Sequence, residues 1–286
     1  MLLQKVMAAK DFHCVLDSSK IQSQMKEYTL ITGASSGIGY EMAKQLAAKK
    51  FNLILVARSE EKLIKLQKEL ISQFKVEVVY LLFDLSEPNS AQDLFDLVQS
   101  KNFIVTGLIN NAGFGDYGTF VDRPLKKDEE MIAVNITALV GLTKLFGCEM
   151  KKAGKGRIMN VASLLSFLPF PYYSVYSATK SFVLAFTETV AAEMQDTGVV
   201  ITALCPGTVE TPFHTEAMRK TNAMSANKPM PVEVVAKAGV ELFLNGKGKK
   251  IVGFMNWFLS NLPRVTPDIW MMKIKKNLAS FKKELR

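Results

Sequence analysis

Apolar positions follow two alternating rhythms along this chain. Short runs that are apolar on nearly every residue occur at 28–32 (YTLIT), 52–57 (NLILVA), 76–83, 107–110 (GLIN), 157–163 and 199–204. Between them lie longer stretches in which apolar residues recur every three or four positions, as Leu63, Leu66, Leu70 and Phe74 do within 60–74. The first rhythm predicts strands buried on both faces, and the second predicts helices over 40–49, 60–74, 88–100, 126–150 and 173–195. Strands of that kind joined by helices imply a parallel sheet covered on both sides. The expected fold is therefore a doubly wound, Rossmann-type α/β sheet, with ligands bound beyond the C-terminal strand ends.

A chain of 286 residues with 48% apolar content has room for one large α/β domain, placed here at 25–255. Residues 1–24 show no period and are set aside as an N-terminal extension, an expression remnant or translation from an upstream start. The net charge of +9 is unevenly spread: residues 247–286 hold ten Lys or Arg against Asp268 and Glu284, which leaves the body of the protein nearly neutral. That distribution argues against a nucleic-acid-binding core. Cys14, Cys148 and Cys205 are widely spaced, and His13 and His214 are the only imidazoles. Neither a disulfide framework nor a metal site is expected, and a reducing cytosol is the simplest compartment. The N-terminus lacks a secretory h-region, and no uninterrupted apolar run approaches the ~18 residues of a membrane span.

Candidate chemistry sits at the strand ends. After the first strand, Gly33, Gly37 and Gly39 follow at GxxxGxG spacing in the run TGASSGIG, with Ser35, Ser36 and Ile38 between them. Glycines there let backbone approach a ligand closely, while the free N–H groups of a helix N-terminus face an anion such as a dinucleotide pyrophosphate. The second strand ends in Ala57-Arg58, with no acid to receive a ribose 2′-hydroxyl and a cation suited to a 2′-phosphate, so NADP(H) is expected over NAD(H). At the third strand end, Asp84, followed by Leu85, could accept a hydrogen bond from an adenine amino group. The fourth strand ends in Asn110, Asn111, Ala112 and Gly113, small or amide-bearing residues that let backbone come near a ligand or form a plain turn.

TGASSGIG, the NNAG run at 110–113, Asn135 in VNIT, Ser163 in NVAS, YSATK at 176–180 and Pro206-Gly207 occur in that order over about 230 residues. Together they resemble the short-chain dehydrogenase/reductase family. The resemblance implies a seven-stranded sheet of order 3-2-1-4-5-6-7, NAD or NADP as cofactor, and a catalytic set of Asn135, Ser163, Tyr176 and Lys180. It further implies that Lys180 meets the nicotinamide ribose, that Asn135 binds a water leading to Lys180, and that Thr208 and Thr211 in PGTVET meet the nicotinamide amide. Reducing a carbonyl needs a proton as well as a hydride, and Tyr176 with Lys180 at i, i+4 can supply it. Bringing a phenol from pKa ~10 to near neutrality takes roughly 4 kcal/mol, for which the Lys180 ammonium and the oxidised nicotinamide are the expected sources.

The expected reaction is carbonyl and secondary-alcohol interconversion. The apolar run LLSFLPFPYYSV before Tyr176 favours an apolar or amphiphilic small molecule as substrate. A 3-oxoacyl thioester reductase is the more specific alternative, and a non-catalytic NADP(H)-binding regulator is the alternative of another class. A homodimer or homotetramer is expected. In the tail, 256–286, Met271, Ile274, Leu278, Phe281 and Leu285 recur at three and four among Lys273, Lys275, Lys276, Lys282 and Lys283. Such a basic amphipathic helix could cover the substrate cleft, pack on a partner subunit or touch an anionic membrane.

Overall fold

The structure, a computed structural model, describes residues 26–222, 224, 228–264 and 266–281. The N-terminal extension, Cys14, Lys282, Lys283 and Leu285 lie outside the described residues. Seven strands form one sheet: β1 (Glu27–Thr32), β2 (Asn52–Ala57), β3 (Val78–Leu82), β4 (Ile104–Asn110), β5 (Gly156–Val161), β6 (Val199–Cys205) and β7 (Gly248–Ile251). Every neighbouring pair is parallel, in the order β3-β2-β1-β4-β5-β6-β7. This is the expected doubly wound architecture. The order reverses between β1 and β4, and the crevice for a ligand opens there.

Helices α1 (Gly37–Ala48) and α2 (Glu60–Phe74) lie on one side of the sheet, and α3 (Ser90–Ser100) on the other. The second side also carries α4 (Leu125–Ile132), α5 (Leu139–Lys152) and α6 (Ser174–Glu193). A one-turn helix, α7 (Glu216–Arg219), precedes α8 (Val232–Asn245), which packs beside α1. The alternating faces of each strand feed two separate cores. Ile31, Leu53 and Leu55 meet Met42, Leu66 and Val240 on one side, while Leu30, Ile54 and Leu108 meet Leu94, Leu142 and Phe146 on the other. Strands apolar on both faces are what such a layer requires.

The helix read over 126–150 is present as a continuous span with a π-helical turn, Ala133–Ala138, inside it, and Asn135 lies in that turn. The continuous helical span Leu125–Lys152 also contains an 18-residue window of mean hydropathy 1.7, enough by length and composition for a membrane span. Its Leu139, Leu142, Phe146 and Met150 are instead buried within the α/β layers. Polar residues interspersed on its outer side conceal the length of the apolar face when only uninterrupted runs are counted.

The tail folds as α9 (Phe254–Asn261), a 3₁₀ turn (Leu262–Arg264) and α10 (Asp268–Ala279). The far end of α10 is fastened to the body. The Tyr117 hydroxyl donates to the Ala279 carbonyl at 2.6 Å, and the Asn222 N–H donates to the Ser280 carbonyl at 3.0 Å. The Phe281 ring lies 5.4 Å from that of Tyr117. The inward side overlaps the expected stripe without matching it: Met271 is buried together with Lys275 and Ala279, Leu278 is half-buried, and Ile274 and Phe281 are about half exposed. A helix that roofs a cavity buries whichever side the cavity dictates, and a lysine stem is apolar enough to serve.

Candidate active site

The glycine turn takes its shape from two left-handed residues, Gly33 (φ 65°) and Gly37 (φ 58°), a region that side chains rarely adopt. Ser36 caps α1 in extended conformation without a side-chain bond to the helix, and the first turn holds no acid, so its N–H groups remain open to an anion. The NNAG segment locks onto this turn. Thr32 Oγ1 accepts the N–H groups of Asn111 (3.0 Å) and Ala112 (2.9 Å), and Asn111 Nδ2 donates to the carbonyls of Thr32 (3.0 Å) and Gly33 (3.2 Å). Gly39 does not line the cavity. It is needed for packing, since a Cβ there would sit 2.4 Å from Asn111 Nδ2 and 2.6 Å from the Gly33 carbonyl oxygen.

Beneath the site runs a buried polar ladder. Asn110 Nδ2 donates to Thr143 Oγ1 (3.0 Å) and to Asn160 Oδ1 (2.9 Å), and Asn160 Nδ2 donates to Thr187 Oγ1 (3.0 Å). It ties β4, β5, α5 and α6 together directly under the reacting groups.

Tyr176 and Lys180 rise from the first turns of α6, both buried. The Lys180 Nζ lies 6.0 Å from the centre of the Tyr176 ring and donates to the Val161 carbonyl at 2.8 Å. Burial pushes the Tyr176 phenol up to about 12, with the Ser163 hydroxyl hydrogen-bonded to it pulling the other way. Burial likewise brings the Lys180 ammonium down to about 8. The expected near-neutral phenol is thus not produced by the protein's own groups, because loss of water outweighs their electrostatic help. A phenol that holds its proton at neutral pH is in the form that can donate it.

Ser163 follows β5 and caps the 3₁₀ turn Leu164–Ser166, its Oγ accepting from the Leu165 N–H at 3.1 Å. Ser166 Oγ donates to the Lys180 carbonyl (2.7 Å), which fixes this turn against α6. Asn135 is fully buried and also lies off the cavity wall. Its amide holds the loop after β4, with Nδ2 donating to Phe114 O (3.0 Å) and Thr179 Oγ1 (3.1 Å) and Oδ1 accepting from the Phe114 N–H (3.1 Å).

The remaining candidates line one cavity of about 1020 Å³, at the upper end of ordinary ligand sites. Ser35, Ser36, Ile38, Arg58, Asp84 and Leu85 stand at one end; Ala112, Gly113, Ser163, Tyr176 and Lys180 occupy the middle; Pro206, Gly207, Thr208 and Thr211 cross above. Arg58 is 67% exposed, with Nη1 3.6 Å from Asp84 Oδ2. Burial pulls the Asp84 carboxyl up, but the Ser86 N–H and hydroxyl together with the Arg58 charge outweigh it and hold it below its ordinary value. Thr211 reaches over the glycine turn, 3.2 Å from where a Gly37 Cβ would be.

Sequence reasoning missed Gly115, and it marked the apolar wall at 164–175 and in the tail without saying which residues turn inward. Gly115 lets the chain lie against the Tyr176 ring, for a Cβ there would be 2.9 Å from Cδ2; the GFGD run offered that signal. The other end of the cavity is walled by Leu164, Leu168, Phe170, Met218, Leu259, Leu262, Met271 and Leu278, with His214 and Lys275 also lining it. The roof residues among them belong to α9, the 3₁₀ turn after it and α10, where periodicity alone does not say which side turns inward. Among the described residues no group of His, Cys, Asp or Glu could hold a metal ion.

The sequence profile of a family described as short chain dehydrogenase matches residues 27–222. A very-long-chain 3-oxoacyl-CoA reductase of Anas platyrhynchos is 31% identical over 261 residues, spanning 88% of this chain and 80% of that protein. The Homo sapiens protein of the same name is 29% identical over 248 residues, spanning 83% and 76%. Among solved structures, a short-chain dehydrogenase from Sphingobium yanoikuyae in complex with NADPH superposes with a TM-score of 0.73 at 27% identity, over 85% of this chain and 97% of that one. A bulky-bulky ketone specific alcohol dehydrogenase from Comamonas testosteroni gives 0.71 at 27% identity, over 84% and 92%.

Proposed function

The chain belongs to the short-chain dehydrogenase family, and from that premise we propose that it is an NADPH-dependent reductase turning a ketone into a secondary alcohol on a long apolar chain, with 3-oxoacyl thioesters as the substrate class. The observation that carries this reading is the continuous cavity, whose polar end holds the glycine turn and Arg58 and whose apolar end is roofed by α9 and α10. The names of the curated relatives and the NADPH in a solved neighbour point the same way.

The residues present fit a dinucleotide. At Gly33 any Cβ would lie 2.9 Å from Ala112 Cα, and at Gly113 one would lie 2.9 Å from Asn135 Oδ1 and 3.3 Å from Lys180 Nζ, so backbone forms the floor of the cradle. The open N–H groups of α1 would hold the pyrophosphate, Arg58 the 2′-phosphate, Asp84 the adenine, and Lys180 with the 208–211 segment the nicotinamide end. NADPH when bound supplies the hydride.

The chain supplies the rest. Ser163 orients the substrate carbonyl by donating a hydrogen bond to its oxygen, and Tyr176 delivers a proton to the same oxygen as negative charge develops there. The Lys180 ammonium steadies the tyrosinate left behind. Asn135 acts through position, holding the Phe114 loop, while the π turn around it frees backbone carbonyls that can carry a water toward Lys180. The apolar end excludes water from the carbonyl.

The test is NADPH consumption with 3-oxoacyl-CoA thioesters of increasing chain length, beside small soluble ketones. Each methylene buried is worth up to ~0.8 kcal/mol, so kcat/KM should climb by as much as about fourfold per methylene until the cavity is filled. Equal kcat/KM for short and long chains would remove the acyl chain from the reading.

A further inference from the structure

The roof of the cavity has a second face. On α9 the inward residues are Asn256 and Ser260, and the outward ones are Phe254, Met255, Trp257 and Phe258, all at least half exposed. On α10 the outward side carries Ile269 (82% exposed), Trp270 and Met272, with Lys273 and Lys276 among them. Helical geometry places Ile269, Lys273 and Lys276 on one face and Trp270 and Met272 along its flanks. Large apolar side chains scattered singly over a surface need no explanation, but neighbouring helices that turn two tryptophans and two phenylalanines outward do.

From this we propose that the outer face of α9 and α10 docks onto an anionic lipid surface and sets the mouth of the apolar cavity against it. Charge complementarity selects this occupant. The stretch 247–286 has a net charge of +8, and Lys247, Lys250, Lys273 and Lys276 are exposed, whereas the rest of the chain is nearly neutral. Aromatic and aliphatic side chains interleaved with lysines suit the headgroup boundary, where the rings sit at the interface and ammonium groups reach lipid phosphates. Met255 and Ile274 are exposed and also line the cavity, so the same helices carry both the outer face and the wall of the apolar end. An apolar substrate could pass from the bilayer to Tyr176 without crossing water. Only this last step rests on the proposed substrate class; the docking itself does not.

The experiment is sedimentation of the purified full chain with phosphatidylcholine vesicles, with and without phosphatidylglycerol, at low and at physiological salt, with tryptophan emission recorded in parallel. The expected result is binding to the anionic vesicles, weakened by salt, with a blue shift of the emission. A Trp257→Ser, Phe258→Ser, Trp270→Ser variant and a Lys273→Glu, Lys276→Glu variant should each lose at least tenfold in vesicle affinity. Both should keep the parent's NADPH affinity, because none of these residues lines the cavity. Wild type that binds neither vesicle overturns the proposal. So does a wild-type dimer that these variants turn into monomers, since that result assigns the face to a second copy of the chain. Neither outcome depends on turnover, so a failure of docking is separate from a failure of the substrate reading.

Discussion

Gly39→Ala should damage both stability and cofactor binding, although Gly39 does not line the cavity. The new methyl would be centred 2.4 Å from Asn111 Nδ2 and 2.6 Å from the Gly33 carbonyl oxygen. Backbone cannot swing aside as a flexible side chain can. Either α1 shifts away from the turn or the Asn111 amide leaves its two carbonyl partners at 3.0 and 3.2 Å. Overpacking costs about 1–3 kcal/mol and each lost bond about 0.5–1.5 kcal/mol, so unfolding free energy should fall by roughly 2–6 kcal/mol. Urea titration measures that loss. NADPH titration by fluorescence should show affinity down at least about tenfold, equivalent to ~1.4 kcal/mol, because the N–H groups facing the anion move with the turn. Gly147→Ala on α5 is the control: its Cβ would lie 3.6 Å from Ile158 Cδ1, an ordinary contact, so helix propensity should leave stability level or raised by up to ~1 kcal/mol. A Gly39→Ala protein with the midpoint and NADPH affinity of the parent would refute the clamp between Asn111 and the glycine turn.

Arg58→Ala should weaken NADPH by about 10- to 150-fold, the worth of a charge-assisted contact of ~1.5–3 kcal/mol, and leave NADH almost unchanged; parallel titrations of the two cofactors decide it. Tyr176→Phe should bind NADPH normally and lose turnover with every ketone the parent reduces, so comparable rates would place the proton donor elsewhere. The pH profile of kcat/KM for reduction should be level below about 8 and fall above it, since burial brings Lys180 down to about 8 and its charge is lost as pH rises through that value. Tyr176, pushed up to about 12, keeps its proton throughout, so no second inflection is expected between pH 8 and 10, and a rate that climbs from pH 7 to 9 would contradict the assignment.

The sheet was legible because six of its strands are apolar on both faces, a signal that survives without tertiary context. The seventh, Gly248–Ile251, reads GKKI and carries no such signal; only the family resemblance implied it. The floor of the site was legible for a related reason, since turns that need glycine or an amide at fixed offsets leave local marks. Gly39 was found by such a mark and Asn135 through the family resemblance; in the structure both brace neighbouring backbone, which depends on which atoms lie 2.4 to 3.1 Å away. The π turn at Ala133–Ala138 left no sequence mark, because its residues suit an ordinary helix equally well. The lowering of the Tyr176 phenol expected from Lys180 and the oxidised nicotinamide together is not supplied by the protein's own groups, since spacing reports proximity and not the loss of water that pushes the phenol up to about 12. The inward side of α10 was only partly legible: Met271, Ile274 and Leu278 of the expected stripe line the cavity, but apolar residues occupy both sides of the helix and a lysine, Lys275, is turned in.

The bond from Tyr117 to Ala279 joins positions 162 residues apart. All seven strands precede residue 252, so a chain cut just after β7 would keep the whole sheet and lose the roof. Such a chain would present Leu164, Leu168 and Phe170, which pack against Leu259, Leu262 and Met271 in the full chain, as an uncovered greasy trough. A stop codon placed there should therefore yield a protein that captures nucleotide yet clumps with its own kind.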